Sequence, residues 1–438
     1  LAQELIDRTP ADDVAAVVLP IIGNALLAQS RLEESRGLAE ALGVKLAFAE
    51  RLNVRDPSPA RLFGSGQLDA LSKRMHDDGV TLLIVDGALS PVQQRNLETE
   101  LKLKVVDRTG LILEIFGLRA RTAEGRLQVE MARSLYERSR LVRTWTHLER
   151  QRGGFGFLGG PGETQLEADR RMLDARIAKI RRDLEDVRRT RRLQREGRAR
   201  RGAPVTALVG YTNAGKSTLF NRLTGADVLA ADMPFATLDP TAREIVAASG
   251  RHIAVIDTVG FITDLPTSLV AAFRATLEEA MEADLLIHVR DIAHPDTESQ
   301  AQDVYTILEQ LEVETGLSRP PMIEAWNKAD MLDPATQDVL ARRAEGQSPP
   351  AQLVSALDGA GVTELLFRVE QELFRHRARR HVTIPAWDGR AHAWLHNNCE
   401  VSSEAVSEDG QSLTLEVFMS EVDVARARAL GPQVLIEE

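Results

Sequence analysis

The chain is poor in three things, and each shortage excludes something. It carries a single cysteine, Cys399, in 438 residues. An intramolecular disulfide is therefore excluded, and a cytoplasmic location is expected. There is no Cys/His spacing for zinc, and His381, His392 and His396 are scattered near the end with no chemistry to assign. Long hydrophobic runs are missing too, since nothing resembles the roughly 20 apolar residues of a membrane-spanning helix. The apolar stretch from Val14 to Ala28 follows Asp12 and Asp13, where a leader needs positive charge, and Pro20 and Asn24 break it. No integral membrane segment is expected. Positive charge is the third shortage: 54 basic against 65 acidic residues give a net charge of −11. That balance argues against a general polyanion binder.

The charge is unevenly spread, however. Between Arg126 and Arg201 there are 21 Lys and Arg against 11 Asp and Glu, a surplus of ten, which leaves the rest at −21. Nearly all of these cations are arginine, whose planar fork suits phosphate and base stacking. Contact with RNA is the expectation, with solvated helix surface as the bland alternative. The segment shows no strand pattern and two helical stripes. One runs Leu127, Met131, Leu135, Val142, Trp145, Leu148; the other runs Leu166, Leu173, Ile177, Ile180, Leu184, Val187 with the 3/4 spacing of a coiled-coil seam. Between them lies a run from Gly153 to Gly162 too rich in glycine for either helix. Two antiparallel helices with this loop at the tip is the economical arrangement. Arg152, Phe155, Phe157 and Leu158 at the tip, with Arg181 and Arg182 on the second helix, are the RNA-contact candidates. The alternative folds the tip aromatics back onto the hairpin.

The chemistry is concentrated further on. Val205–Val209 leads into Gly210-Tyr211-Thr212-Asn213-Ala214-Gly215-Lys216-Ser217, a G-x-x-x-x-G-K-S loop on a strand end. Its fixed positions should occur by chance in roughly one or two per cent of chains this long. The glycines let backbone N–H groups face phosphate oxygens, Lys216 reaches the β- and γ-phosphates, and the Ser217 hydroxyl ligates Mg²⁺. Ile253–Ile256 then runs into Asp257-Thr258-Val259-Gly260, where Asp257 would hold Mg²⁺ through a water and the Gly260 N–H would meet the γ-phosphate. Met322–Trp326 runs into Asn327-Lys328-Ala329-Asp330, the guanine clamp. A buried Asp330 carboxylate would accept from the guanine ring N–H and amine and reject adenine. Ser355-Ala356-Leu357 fits the last base-contacting loop. Each later motif alone is weak, but their order along the chain is that of a GTP-binding domain.

A GTPase also needs a hydroxyl that closes over Mg²⁺ with the γ-phosphate and releases it after hydrolysis. Within Met233–Thr241, Thr237 and Thr241 both qualify by position. Phe261 follows Gly260 where Ras-like enzymes carry a water-orienting glutamine. Either the domain waits for a partner to supply that group, or Phe261 is core and another residue supplies it.

The remaining pattern sets the architecture. Strand candidates Val14–Leu19, Val44–Leu52, Val80–Val85 and Lys104–Val106 alternate with helix candidates Ser30–Leu42, Gly66–Asp77, Ser90–Leu101 and Gly110–Leu118. Such alternation argues for a parallel sheet covered by helices. Near the end, His381–Pro385 and Ser412–Phe418 read as strands, with helices around Arg390–Asn397 and Val422–Leu430. The fold class is α/β: a parallel-sheet domain (1–125) with a long basic helical hairpin (126–202), a P-loop GTPase domain (203–376) and a small α+β domain (377–438).

Taken together, these motifs resemble the HflX family of ribosome-associated GTPases over essentially the whole chain. The resemblance is carried by Arg152-Gly153-Gly154 through Gly160-Pro161-Gly162-Glu163-Thr164-Gln165, by Gly210–Ser217, by Phe235-Ala236-Thr237-Leu238-Asp239, by Asp257–Phe261 and by Asn327–Asp330. It implies Thr237 rather than Thr241 as the switch Mg²⁺ ligand beside Ser217, with Lys216, Thr237 and Gly260 as the catalytic set. It also implies binding of a monomer to the large ribosomal subunit and its RNA in the GTP state, and the splitting or rescue of stalled ribosomes. The tip loop departs from the family: Phe157-Leu158-Gly159-Gly160 lacks the arginine usual there. Two rival functions stand beside this one, an RNA-remodelling ATPase using the N-terminal domain and a subunit-assembly factor. No second Walker motif supports the first.

Overall fold

The alternating apolar and amphipathic stretches of the first hundred residues fold as a parallel sheet with helical connections. A computed structural model of the chain describes residues 13–23, 28–151, 161–199, 204–226, 234–235, 238, 241–263, 277–375, 377–407 and 409–437. It divides into two compact units. One holds Leu1–Glu185 with Ala231–Asp239 and Val259–Ala275, and the other holds Asp186–Ala230, Pro240–Thr258 and Thr276–Glu438.

In the first unit, β1 (Val14–Ile21), β2 (Lys45–Asn53), β3 (Leu82–Val85) and β4 (Lys104–Asp107) form a four-stranded sheet in the order β2-β1-β3-β4. All pairings are parallel. The central strands read as unbroken apolar runs because helices cover both faces; every residue of β3 is buried. The helices are α1 (Ala28–Leu42), α2 (Ser65–Asp77), α3 (Pro91–Leu101) and α4 (Arg108–Arg119). Ser90 and Gln93 start α3 with a reciprocal capping box, and Pro91 supplies a preset φ at its first turn. The Asp107 carboxylate starts α4 by accepting from the Gly110 N–H at 2.8 Å. On one face of the sheet, Leu68, Leu71 and Met75 of α2 pack with Phe63, Leu83, Val85 and Val105.

At the C-terminal ends of these strands the unit buries a cation. Arg108 is 4% exposed and donates to Asp86 Oδ1 at 2.7 Å and to Glu34 Oε2 at 2.9 Å. A third donation, at 2.9 Å, reaches the carbonyl of Thr263 in the Val259–Ala275 segment of the same unit. Arg31 Nε meets the other Asp86 oxygen at 3.1 Å. Burial by itself would raise the Asp86 carboxyl, but Arg108 and Arg31 outweigh it and hold the pKa below the usual carboxylate value. A second tie lies close by, where Phe116 of α4 meets Phe235 edge to face with centroids 4.5 Å apart.

The hairpin helices are α5 (Ala123–Gln151) and α6 (Pro161–Ala199). Met131, Ile180 and Leu184 form a small core with Leu127 and Leu135 against it. Glu130 pairs with Arg176 at 2.9 Å and Arg138 with Asp174 at 3.1 Å, as antiparallel helices require. Arg181 and Arg182 are exposed on α6. The tip candidates Arg152, Phe155, Phe157 and Leu158 lie outside the described residues.

The second unit is built on six strands in the order β10-β9-β8-β5-β7-β6. They are β5 (Val205–Gly210), β6 (Thr241–Val246), β7 (His252–Asp257), β8 (Leu285–Asp291), β9 (Met322–Asn327) and β10 (Ala351–Leu353). Only the pairing of β6 with β7 is antiparallel. Helices α7 (Lys216–Thr224), α8 (Thr297–Thr315), α9 (Pro334–Glu345) and α10 (Val362–Phe374) accompany the sheet. Its last part is an antiparallel sheet, β12-β13-β11-β14, of β11 (Arg377–Pro385), β12 (Glu400–Val406), β13 (Ser412–Ser420) and β14 (Leu435–Glu437). Helices α11 (Gly389–Asn398) and α12 (Glu421–Arg428) complete that part. Val382, Ile384, Leu395, Leu415 and Val417 form its core. Strands β12 and β14 were not legible in the sequence: both are edge strands, β12 with mostly polar residues and β14 only three residues long, so neither shows the apolar alternation that marks a strand. Among the described residues no helix is long and apolar enough to cross a membrane.

Candidate nucleotide site

Parallel order places the ends of β5, β7 and β9 along one edge of the sheet, and these ends carry Gly210, Asp257 and Asn327. The crevice outside such strand ends is where open α/β sheets bind ligands.

The phosphate loop has backbone that only glycine tolerates. Gly215 has φ +90°, and a Cβ there would lie 2.2 Å from Asn327 Nδ2; at Gly210 a Cβ would lie 2.2 Å from the Val289 carbonyl oxygen. Asn213 is exposed and left-handed at φ 62°, while Tyr211, Thr212 and Ala214 are buried. Lys216 is 6% exposed, and its Nζ donates to the carbonyls of Gly210 at 3.0 Å and Tyr211 at 2.7 Å. Burial pushes the Lys216 amine down to about 8, against the opposing pull of Asp257. Neutral carbonyls leave the cation without full charge compensation, so an anion at this loop would stabilise it.

Ser217 Oγ donates to Asp257 Oδ2 at 2.8 Å. Both are hard oxygen donors side by side at the end of the phosphate loop, and that donor chemistry fits Mg²⁺, with the hydroxyl as a ligand and the carboxylate able to hold one of its waters. Thr258 turns inward, its hydroxyl donating to the Leu208 carbonyl at 2.6 Å and locking β7 against β5.

The base side is held by side chains that bond to backbone. Asn327 donates from Nδ2 to the Ala214 carbonyl at 2.8 Å and accepts the Ala356 N–H at Oδ1 at 2.9 Å. It thereby joins the phosphate loop to the last base-side loop. Ser355 Oγ donates to Asp330 Oδ1 at 2.7 Å. Lys328 adopts φ 65° and pairs with Asp291 at 2.8 Å. Ala329 is buried, whereas Leu357 is exposed. One expectation needs correction: Asp330 is exposed rather than buried. Protein does not desolvate it, so any discrimination against adenine has to come from the carboxylate's acceptors meeting the base itself. Sequence reasoning also missed Arg222, whose Nε donates to the Ala356 carbonyl at 3.2 Å and whose Nη2 reaches the Leu357 carbonyl. An arginine in the last turn of a helix carries no motif that could have revealed this.

The switch segments Ala231–Asp239 and Val259–Ala275 belong to the first unit. Phe235 is buried at φ 57° against Phe116, and Leu238 is buried. Val259, Gly260 and Phe261 are buried as well. Ala236, Thr237 and Asp239 lie outside the described residues. The burial of Phe261 suits its reading as core.

Behind the strand ends, β8 and β9 carry a buried polar network. Glu324 accepts from Tyr305 Oη at 2.6 Å, Trp326 Nε1 at 2.7 Å and Arg290 at 2.9 Å. His288 is 1% exposed, and its Nδ1 stands 3.7 Å from Glu324. Burial drives the imidazole down to about 4; Glu324 opposes that shift, while Arg290 and Lys216 reinforce it.

The model described as GTP-binding GTPase N-terminal matches residues 29–117, that of the GTP-binding GTPase Middle Region matches 119–198, and that of the 50S ribosome-binding GTPase matches 205–328. A GTPase HflX of Magnetococcus marinus is 47% identical over 390 residues, spanning 89% of this chain and 88% of that protein. The chain belongs to the GTPase HflX family. The GTPase HflX of Escherichia coli is 42% identical over 404 residues, spanning 92% of this chain and 93% of that protein. A GTP-binding protein of Sulfolobus solfataricus, solved in complex with GDP, is 26% identical, covering 83% of this chain and 99% of its own, at a TM-score of 0.45. With its family the chain is a GTP-binding P-loop GTPase, and the reaction is hydrolysis of GTP to GDP and phosphate.

Proposed function

We propose that the chain is a GTP-driven switch that binds the large ribosomal subunit or whole ribosome in its GTP state and splits or rescues stalled ribosomes. In this reading Gly210–Ser217 cradles the phosphates, Lys216 answers their charge, and Ser217 and Thr237 ligate Mg²⁺ with Asp257 behind a water. Gly260 meets the γ-phosphate; Asn327, Asp330 and Ser355–Leu357 hold guanine. Mg²⁺, when bound, would screen the phosphate charge; the protein's part is to orient the nucleotide so that a single water can attack the γ-phosphate. The four-part division at residues 125, 202 and 376 belongs to the same proposal, as do a monomeric state and a cytoplasmic location.

The single observation that carries the ribosomal part is the basic hairpin. A surplus of ten positive charges sits on one segment of an otherwise acidic chain, and Arg181 and Arg182 face solvent there. Matching the 50S ribosome-binding GTPase model adds support from the neighbouring segment. Polyanion contact through arginines weakens steeply with salt, because releasing condensed counterions into a saltier solution gains less entropy.

Sucrose-gradient sedimentation with intact ribosomes and with separated subunits tests the reading, comparing GDP with a non-hydrolysable GTP analogue. Cosedimentation with the large subunit in the analogue, and conversion of whole ribosomes to subunits, are expected. Equal binding in both nucleotides would overturn the switch, and binding without splitting would favour an assembly factor. A chain truncated to begin at Gly202 should keep nucleotide binding and lose cosedimentation. Retention at the same salt would remove the hairpin from the proposal.

A further inference from the structure

Three side chains that look unrelated in the sequence meet in the C-terminal part of the chain. His392 and His396 are one helical turn apart on α11, so they project from the same face. Asp388 caps the helix by accepting the Ala391 N–H at 3.0 Å, and Ala391 and Leu395, roughly 100° around the helix from the histidines, are buried in the core. The face bearing the histidines is therefore fixed. Glu404 lies on β12, registered against Leu415 of β13. Its carboxylate reaches His392 Nε2 at 3.1 and 3.2 Å and His396 Nε2 at 3.3 Å. The imidazole centroids are 4.5 Å apart.

We propose that His392, His396 and Glu404 form a binding site for a zinc-class divalent cation, open to solvent at its remaining coordination position. The ligand atoms all lie within 4.8 Å of one another. In a tetrahedral zinc site with bonds of about 2.0–2.1 Å, neighbouring ligand atoms are roughly 3.3 Å apart. The two histidine–carboxylate separations already match that spacing, so an ion can replace the hydrogen bonds with only small side-chain movements. Two imidazoles and one carboxylate with an open fourth position is a familiar zinc donor set. Imidazole nitrogen selects against Mg²⁺ and Ca²⁺, which prefer all-oxygen shells. Cys399 is nearby in sequence but buried and outside the cluster. The sequence signal was the His-x-x-x-His spacing on a helix; the acid that completes it comes from a strand the sequence did not reveal.

All three side chains are partly exposed, at 35%, 43% and 35%, so an ion can enter from solvent. A bound ion would tie α11 to the edge strand β12 and so stiffen this part of the chain. The site is independent of the nucleotide assignment.

The test is isothermal titration of the full-length, tag-free, chelator-treated protein with ZnCl₂ in the absence of nucleotide. One saturable equivalent is expected, with a rise in the thermal unfolding midpoint. The double variant His396→Ala/Glu404→Gln should weaken that equivalent at least tenfold while leaving GTP binding unchanged. Cobalt(II) titration provides a second readout, because four- or five-coordinate binding at this site gives visible d–d absorption that the variant should lack. An absence of saturable zinc binding in the unaltered chain, or equal binding and cobalt spectra in the variant, would overturn the assignment.

Discussion

Both parallel sheets of this chain bury a cation at the C-terminal ends of their strands, yet they treat it in opposite ways. In the first unit Arg108 is met by two carboxylates, Asp86 and Glu34, with Arg31 sharing Asp86. In the second, the ammonium of Lys216 donates to two neutral carbonyls. The first arrangement is electrically closed, and the protein's own acids fill the position an anionic ligand would take. The second keeps a positive charge that only Asp257 offsets in part, beside glycine-shaped backbone. The difference shows how one architecture yields a structural lock in one place and a phosphate site in another. It also bears on the rival ATPase, because the N-terminal sheet has its cation committed to carboxylates.

The strongest way to break the comparison is at the lock. Arg108→Ala removes the buried cation that Asp86 and Glu34 share, leaving Arg31 on Asp86, which should cost about 3–5 kcal/mol. Urea unfolding should show the loss in the transition of the first unit. Arg108→Lys keeps the charge but not the fork that reaches Asp86, Glu34 and the Thr263 carbonyl together, so it should recover only part of the stability. A change below about 1 kcal/mol in the Ala variant would mean that the network is not the buried lock described here.

The corresponding change at the open cation should spare stability and remove function. Lys216→Ala takes away the group proposed to answer phosphate charge, and hydrolysis should fall about 100- to 1,000-fold. Single-turnover GTP hydrolysis measures it. ATP turnover in the same variant sharpens the contrast between the sheets, since an N-terminal ATP site would survive the change. Persistent ATP turnover would show that the first sheet is less closed than its ion pairs suggest.

A third prediction follows from the charge already beside Lys216. His288 has its folded pKa driven from 6.5 to about 4 by burial, with Arg290 and Lys216 reinforcing the shift against Glu324. The unfolded chain therefore binds a proton more readily than the folded one between these values. Stability from this group is fully present above about pH 6.5 and drains away as the pH falls toward 4. The loss over that window should be about 3 kcal/mol. Denaturant unfolding from pH 7 to pH 4 measures it, and His288→Gln should flatten that part of the profile. An equally steep profile in the variant would assign the acid sensitivity elsewhere.

Much of this was legible because phosphate and guanine chemistry demand fixed residues at fixed spacings. Gly210, Gly215, Lys216, Asp257 and Asn327 fall on strand ends that the apolar runs before them announced. The N-terminal strands were readable for the same reason, being buried on both faces. What stayed hidden depends on contacts between distant segments. Arg108 and Arg222 act through partners far away in sequence, and Glu404 sits on a polar edge strand with no periodic signature. The exposure of Asp330 was also invisible, because a motif specifies a residue but not its solvent access.

The smallest expected effect concerns that residue and separates the base side from the phosphate side. On the proposed assignment, Asp330 accepts from the guanine ring N–H and the exocyclic amine, both donors. In Asp330→Asn one acceptor becomes an amide donor. Ser355 Oγ donates to Asp330 Oδ1 at 2.7 Å, and in the variant it would favour the amide oxygen at that position. The amide N–H₂ then faces the base, donor against donor at the guanine amine. GTP affinity should fall by about 2 kcal/mol, the scale of a lost charged hydrogen bond. Xanthine carries a carbonyl where guanine carries that amine, so the same amide can donate to it. The variant should therefore shift its preference toward xanthosine triphosphate, and Ser355→Ala should blunt the shift by freeing the amide to turn over. Competition binding with the two nucleotides reads both effects. A folded Asp330→Asn protein that still prefers GTP as strongly as before would mean that the base is held by other groups, and that the ordered base side has been assigned to the wrong ligand edge.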